Sequence, residues 1–427
     1  MTHFGIISPG STGPLNTMLP LGQELQRRGH RVTLFGVLDT QRKAMQAGLE
    51  FQAIGEQDFP IGATKKMFAE LGKLNGLSAL KCTIDFLQQG ATVTLRDAPE
   101  LMKAAGVEAV LVNQGSVEGG TVADFLRIPF VTVCSAVVLN PETTVPPFNT
   151  TWNYSTAWWA LLRNKIGYKI LNTVASPIRK VIAEYRQQWK LPLHTQPNDA
   201  YSKLAQLSQA PIEFEFPRQN LPQWFHFTGS YHSSASRESV AFPWERLTDK
   251  PLIYASMGTL QNRLLGVFEM IAAACAELDT QLVISLGGAT TPESLPSLQG
   301  NPLVVGYAPQ LELLEKATMM ITHAGMNTTM ECLKNGVPMV AIPVTNDQPG
   351  VAARIAWTGA GEVVPLKRLT VSRLQKAISQ VLTQPSYKQN ALRLQKAINT
   401  AGGVTRAANI IEQAVSTGKP VLAGTIN

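Results

Sequence analysis

The stretch "GYAPQLELLEKATMMITHAGMNTTMECLKNGVPMVAIPVTNDQPG", Gly306 to Gly350, switches between strand-type and helix-type patterning without a long interruption. The apolar run "TMMIT" has strand length, "MECLKNG" reads as a helix stopped by Gly336, and "VPMVAIPV" is a second apolar run. Gly325 permits a tight strand-to-helix turn, and Asn327 or Thr328 can cap the helix, leaving backbone N–H groups aimed outward. A helix entered in this way makes an anion cradle. The segment is a β-α-β unit, so the sheet that holds it is expected to be parallel.

Outward from this unit the same rhythm continues. Upstream lie "KPLIYASMGT", "DTQLVISLGG" and "NPLVVGYAPQ", and downstream lies "AGEVVPL". An earlier series, "HFGIISPG", "HRVTLFGV", "VEAVLVNQ" and "PFVTVCSAV", is interleaved with helical patterns such as the one ending at "RRGH". Near-continuous apolarity marks strands covered on both faces. The fold class is therefore α/β, with two Rossmann-like doubly wound domains facing a central cleft. The boundaries read as 1–222 for an N-terminal domain, 223–405 for a C-terminal domain and 406–427 for a C-terminal helix and tail. The Pro- and Ser-rich stretch "PIEFEFPRQNLPQWFHFTGSYHSSASRESVAFP" reads as the linker region.

A chain of 427 residues fits two domains at roughly 150 residues or more each. The net charge of +7 suits nucleic acid, an anionic membrane or a phosphorylated ligand. No zinc spacing, arginine-rich arm or aromatic RNA-binding signature supports the first of these. The four cysteines, Cys82, Cys134, Cys275 and Cys332, are far apart and read as free thiols of a reducing compartment. Neither a signal peptide nor a membrane-length apolar run is visible, so a cytoplasmic protein, soluble or peripheral, is expected.

The residues of the cradle suggest a ligand. His323 stands at the mouth of the turn, where it offers a hydrogen bond or a positive charge to a phosphate. Glu331 lies one turn deeper on the helix face of Asn327, a position suited to ribose hydroxyls. Asp347 and Gln348 form an acceptor–donor pair for the vicinal hydroxyls of a sugar. Taken jointly, the spacing from Tyr307 to Gln348 resembles the donor-binding signature of nucleotide-sugar-dependent glycosyltransferases with the GT-B fold. These include plant UDP-glycosyltransferases, bacterial macrolide glycosyltransferases and zeaxanthin glucosyltransferase-like proteins, the last being nearest in pattern. The resemblance implies Tyr307 and Ala308 beside uracil and Gln310 near uracil or ribose. It further implies His323, Gly325, Asn327 and Thr328 at the diphosphate, Glu331 on ribose, and Asp347 with Gln348 on the sugar. Ser256 and Thr259 of "YASMGT" correspond to a small hydroxylic loop that approaches the phosphates in the family. Tyr307 replaces the tryptophan of the plant enzymes.

On the acceptor side the family pattern breaks. Relatives deprotonate the acceptor with a first-loop histidine oriented by an aspartate after a later strand, a sound general-base arrangement. In "SPGSTGPLNTML" the histidine position falls on Pro14, and after "VEAVLV" the aspartate position is Asn113. Both catalytic positions are thus substituted. An acceptor that ionises unaided, such as a carboxylate or acidic phenol, is one solution. A recruited base is another, with Glu118, Asp124 and Asp85 as candidates.

Between Thr151 and Lys190 the pattern gives one or two amphipathic helices broken near Pro177. Trp159, Leu162, Ile166 and Ile170 fall at helical spacing, continued by Val174 and Ile178, and seven Lys or Arg stand against the single acid Glu184. Core packing is the expectation for most of this stripe. The basic character, with Trp152, Trp158 and Trp159 close by, is also compatible with peripheral contact at an anionic membrane. By resemblance this region borders the acceptor pocket, so Phe148, Trp152 and Trp159 are expected to line it. The leading function is transfer of a sugar from a UDP-type donor to a lipophilic acceptor of carotenoid, terpenoid or polyketide type. UDP-sugar would be a co-substrate, with no resident cofactor and no metal. The alternative is a GT-B protein that has lost glycosyl transfer and binds or transforms a hydrophobic metabolite.

Overall fold

A computed structural model describes residues 1–71, 76–231, 240–258, 265–288 and 291–424. Seven strands form the first sheet: β1 (His3–Ile7), β2 (Arg31–Gly36), β3 (Glu50–Ala53), β4 (Ala109–Asn113), β5 (Phe130–Cys134), β6 (Gln206–Ser208) and β7 (Phe225–Phe227). Their order is β3-β2-β1-β4-β5-β6-β7, with every pair parallel. The second sheet holds β8 (Leu252–Ser256), β9 (Gln281–Ser285), β10 (Leu303–Val305), β11 (Ala317–Thr322), β12 (Met339–Ala341) and β13 (Gly361–Val363). It runs β10-β9-β8-β11-β12-β13, again parallel. β1, β4, β8 and β12 are buried along their whole length, as strands covered on both faces must be.

Strand order reverses between β1 and β4 in the first sheet and between β8 and β11 in the second. Ligands of open α/β sheets bind beyond the carboxyl ends at such points. The loops after β1 and β4 carry the Pro14 and Asn113 regions, and those after β8 and β11 carry Gly258 and His323. Topology alone therefore brings these four loops to one cleft.

β7 assigns Phe225–Phe227 to the first sheet, beyond the expected boundary at 222. The C-terminal helix, Gly403–Thr417, starts slightly before the expected 406 and packs on the first domain. Its Ala407, Ile410, Ile411 and Ala414 share a core with Phe4, Leu15 and Leu25, while its Glu412 pairs with Arg28 at 2.6 Å. The expected linker is not all solvent-facing, since Phe214, Glu215 and Phe216 are buried. The stretch from Thr151 does form two helices, Trp158–Val174 and Ser176–Gln188, with Pro177 in the first turn of the second. Core packing fails for Trp159, Leu162, Ile166 and Ile170, all more than half exposed, but holds at Ile178, which is buried in the first domain's core. The helix turns its other side, with Ala160 and Asn164, inward. Cys134, Cys275 and Cys332 are buried and Cys82 is half-buried, all as free thiols.

Candidate active site

The two domains enclose a cavity of about 2850 Å³ lined from both sides. On the second-domain side, β11 ends at Thr322 and the helix Met326–Lys334 begins after a three-residue turn. Gly325 is the N-cap residue, and no side chain caps the helix. Asn327 and Thr328 lie inside the first turn rather than capping it, which leaves its leading amides without side-chain partners. That is the arrangement an anion requires.

His323 is held between two glycines. A Cβ on Gly258 would lie 2.6 Å from the ring, and one on Gly325 would lie 2.5 Å from Nε2. Burial lowers its pKa to about 4, opposed by a hydrogen bond with the Ser256 backbone, so the imidazole is neutral near pH 7. Its Nδ1 is buried without a partner. His323 thus serves as a hydrogen-bonding group rather than a fixed positive charge. Ser256 ends β8, and its Oγ accepts from the Gly258 amide at 3.3 Å. Thr259 lies outside the described residues.

Deeper in the wall, Gln310 donates through Nε2 to Glu331 and, at 3.4 Å, to the Thr328 hydroxyl. Tyr254 donates to Gln310 Oε1 at 3.4 Å. Glu331 is fully buried yet borders the cavity, so an incoming hydroxyl has a carboxylate to meet. Tyr307 is half-exposed beside Gly288, where a Cβ would collide with its ring, and Ala308 lies next to it on the cavity wall. Asp347 also faces the cavity, and burial lifts its carboxyl from 3.8 to about 6 against a hydrogen bond from the Val137 backbone. Gln348 spends its Oε1 on the amides of Val344 and Thr345 at 2.9 and 3.0 Å, which fixes the loop before it.

The facing wall belongs to the first domain. Pro14 lines the cavity from the first turn of the helix Thr12–Arg27, where a missing N–H costs nothing. Asn113 ends β4, buried, donating to Ser135 Oγ at 2.8 Å and accepting from the Gly115 amide at 2.9 Å. Its side chain is committed to this turn, and Pro14 cannot titrate, so this pair of positions forms no base. None of the substitute acids stands in the cavity lining. Glu118 is buried, Asp124 is paired with Arg186 at 2.7 Å, and Asp85 is exposed. Phe148 and Trp152 do line the cavity, but Trp159 stands outside it on the exposed face.

The model of the family described as UDP-glucoronosyl and UDP-glucosyl transferase matches residues 48–399. The chain belongs to that family. It is 33% identical to zeaxanthin glucosyltransferase of Pantoea ananas over 100% of this chain and 99% of that one. It is 29% identical to the enzyme of the same name from Pseudescherichia vulneris over 97% and 98%. The crystal structure of the glycotransferase of kitacinnamycin superposes with a TM-score of 0.77 at 21% identity, covering 97% of this chain and 99% of that one. The two Rossmann-like domains are therefore those of the GT-B fold, and the protein is a UDP-sugar-dependent glycosyltransferase.

Within this glycosyltransferase, one expected phosphate contact is engaged elsewhere. Asn327 donates to the Gly13 carbonyl at 2.7 Å and accepts from Gln209 at 2.9 Å and Thr17 at 3.2 Å. Its side chain fastens the helix Met326–Lys334 to the start of the helix Thr12–Arg27 and to Gln209, and its backbone amide remains in the turn. Sequence reading also missed Tyr254, Gln209 and Arg218, and it left Gln114 without a role. Gln114 accepts from the Leu139 amide and donates to Asn140, and Arg218 donates to the carbonyls of Val138 and Asn140 at 2.9 and 2.8 Å. Together they shape the loop after β5 that carries Val137 to Asp347. The "NQG" at Asn113–Gly115 hinted at Gln114, while Arg218 gave no signal toward this loop because the two carbonyls it binds lie 78 and 80 positions away.

Proposed function

We propose that this glycosyltransferase moves a sugar from a UDP-type donor to a lipophilic acceptor of carotenoid, terpenoid or polyketide type. The observation that carries the reading is the single cleft cavity, in which the donor-side cradle faces an acceptor wall that includes Leu19, Phe86, Leu87, Phe148 and Trp152. Zeaxanthin glucosyltransferase as the named relative agrees with an apolar acceptor. In the proposed reaction the acceptor oxygen attacks the anomeric carbon on the face opposite the diphosphate. The bond from that carbon to the diphosphate oxygen breaks, and its electron pair leaves with UDP toward the amides of Met326–Thr328 and the His323 ring. Asp347 accepts from sugar hydroxyls, and Glu331 from ribose.

With Pro14 and Asn113 at the positions where the family resemblance implies a base and its orienter, an acceptor that enters already ionised, its proton given up to water, attacks without needing a histidine. Acceptors that ionise readily, such as carboxylates and acidic phenols, suit this cleft better than alcohols, so among carotenoid, terpenoid and polyketide skeletons those bearing an acidic group are favoured, and the zeaxanthin relative supports the apolar skeleton and not the reacting group. The test is mass spectrometry of products after incubation with panels of nucleotide sugars and lipophilic acceptors. Wild type is expected to form glycoside, and His323→Ala is expected to reduce it by about 100-fold or more through loss of phosphate stabilisation. The double variant Pro14→His/Asn113→Asp is expected to extend transfer to plain alcohols. Product from the double variant alone would defeat the proposal and favour a chain that has given up glycosyl transfer.

A further inference from the structure

The helix Trp158–Val174 has two apolar sides, and only one is used by the fold. Its inner side contributes Tyr168, Leu171 and Asn172 to the cavity wall. Its outer side presents Trp158 at 76%, Leu162 at 51%, Ile166 at 52% and Ile170 at 59% exposure, spaced four residues apart. At 100° per residue these positions sweep a band of about 120° along a helix of roughly 25 Å. An isolated exposed leucine would be ordinary, but a contiguous band with a tryptophan at its end marks a surface that water does not normally keep.

Charge selects the occupant. Lys165 and Lys169 project beside the band and are exposed, and Lys180 on the next helix is 80% exposed. Arg163 lies on the other flank, its guanidinium 4.6 Å from the Trp152 ring and 5.4 Å from the Trp159 ring. An apolar face rimmed by cations, with tryptophans at one end, fits the boundary of an anionic bilayer: acyl chains take the leucine and isoleucines, headgroups take the lysines, and indole prefers the interface. Among the described residues no helix is long and apolar enough to cross a membrane, so the contact is peripheral.

We propose that the outer face of Trp158–Val174 docks this protein on anionic membranes, with the acceptor cavity immediately behind the docked helix. A lipophilic acceptor then passes from the bilayer to the cleft around one helix instead of through water. Docking goes beyond the proposed transfer reaction and does not depend on it.

The test is co-sedimentation of the full-length chain with vesicles of equimolar phosphatidylglycerol and phosphatidylcholine, against phosphatidylcholine alone. Wild type is expected to bind the anionic vesicles at least about tenfold more tightly, with the preference fading at high salt. Leu162→Gln/Ile166→Gln/Ile170→Gln should lower binding about tenfold or more, with unchanged circular dichroism because these side chains are exposed. Lys165→Glu/Lys169→Glu should erase the preference for anionic lipid, and it serves as the second arm should the triple variant fail to fold. Glycoside formation with a detergent-dispersed acceptor should be unaltered in both, which separates docking from transfer. Equal vesicle binding by wild type and the variants would overturn the proposal. So would a wild-type dimer that the triple variant converts to monomer, since the band would then be covered by a second copy.

Discussion

Single residues in this protein acquire their properties from burial more than from identity. Glu118 illustrates this: as an acid near the acceptor loop it is a reasonable base, yet its carboxyl is enclosed away from the cavity. Burial lifts its pKa from 4.5 to about 7. The folded chain therefore holds a proton that the unfolded chain releases above pH 4.5. The residue's favourable state is intact below 4.5, and stability falls as pH rises toward 7, by at most about 3 kcal/mol from the size of the shift. Glu118→Gln is expected to be neutral at pH 4.5 and stabilising by about 1–3 kcal/mol at pH 8, read from denaturant midpoints at both pH values. Equal effects at the two pH values would show that Glu118 is ionised in the native state. The identity of Glu118, Asp124 and Asp85 as acids was plain in the sequence. Their unsuitability was not, because only packing reveals that none of the three lines the cavity and that Asp124 meets Arg186.

At the scale of elements, the turn between β11 and the helix Met326–Lys334 forms where its residues suggested, by a different division of labour. The left-handed conformation falls on Ala324, with φ of 63°, whereas Gly325 has φ of −66°, open to any residue. Gly325 is required for space: its missing Cβ is where His323 Nε2 sits. Gly325→Ala should thus leave the backbone undisturbed while displacing the imidazole. Nucleotide affinity, measured by calorimetry with UDP, is expected to fall about tenfold, with a shift in melting temperature within a few degrees. A large loss of stability with affinity retained would mean that the glycine serves the backbone after all. The glycine and the histidine were legible as neighbours in "THAG", but their collision geometry depends on how β8 brings Gly258 against the other face of the ring.

Across the whole molecule the domains are joined by buried polar contacts as well as by chain. Arg354, on the helix after Asp347, pairs with Glu215 of the first domain at 2.5 Å, lies over the Phe216 ring at 4.4 Å, and is almost fully buried. Arg218 approaches the same carboxylate at 3.4 Å, and together the two cations hold it below its usual range despite burial. Breaking such a pair leaves a buried charge, which costs about 3–5 kcal/mol, while removing both partners costs much less. Arg354→Met should destabilise by about 3 kcal/mol, and Arg354→Met/Glu215→Leu should recover part of that loss in denaturant unfolding. If the double variant is as unstable as the single, Arg354 contributes through packing on Phe216 and not through charge.

The sequence by itself determined the parallel α/β architecture, the doubling of domains and the strand-turn-helix at Thr322–Met326, because each rests on periodicity and spacing within a few dozen residues. It also shows that neither Pro14 nor Asn113 can titrate, since residue identity needs no coordinates. Tertiary structure decided what those residues touch. Asn327 faces Gly13 and Gln209 from another domain, and Glu215 meets an arginine 139 positions later. The stripe from Trp158 to Ile170 has the spacing of a core face but looks outward. Periodicity fixes which side chains share a side of a helix, and only the assembled neighbours determine whether that side meets protein, ligand or water.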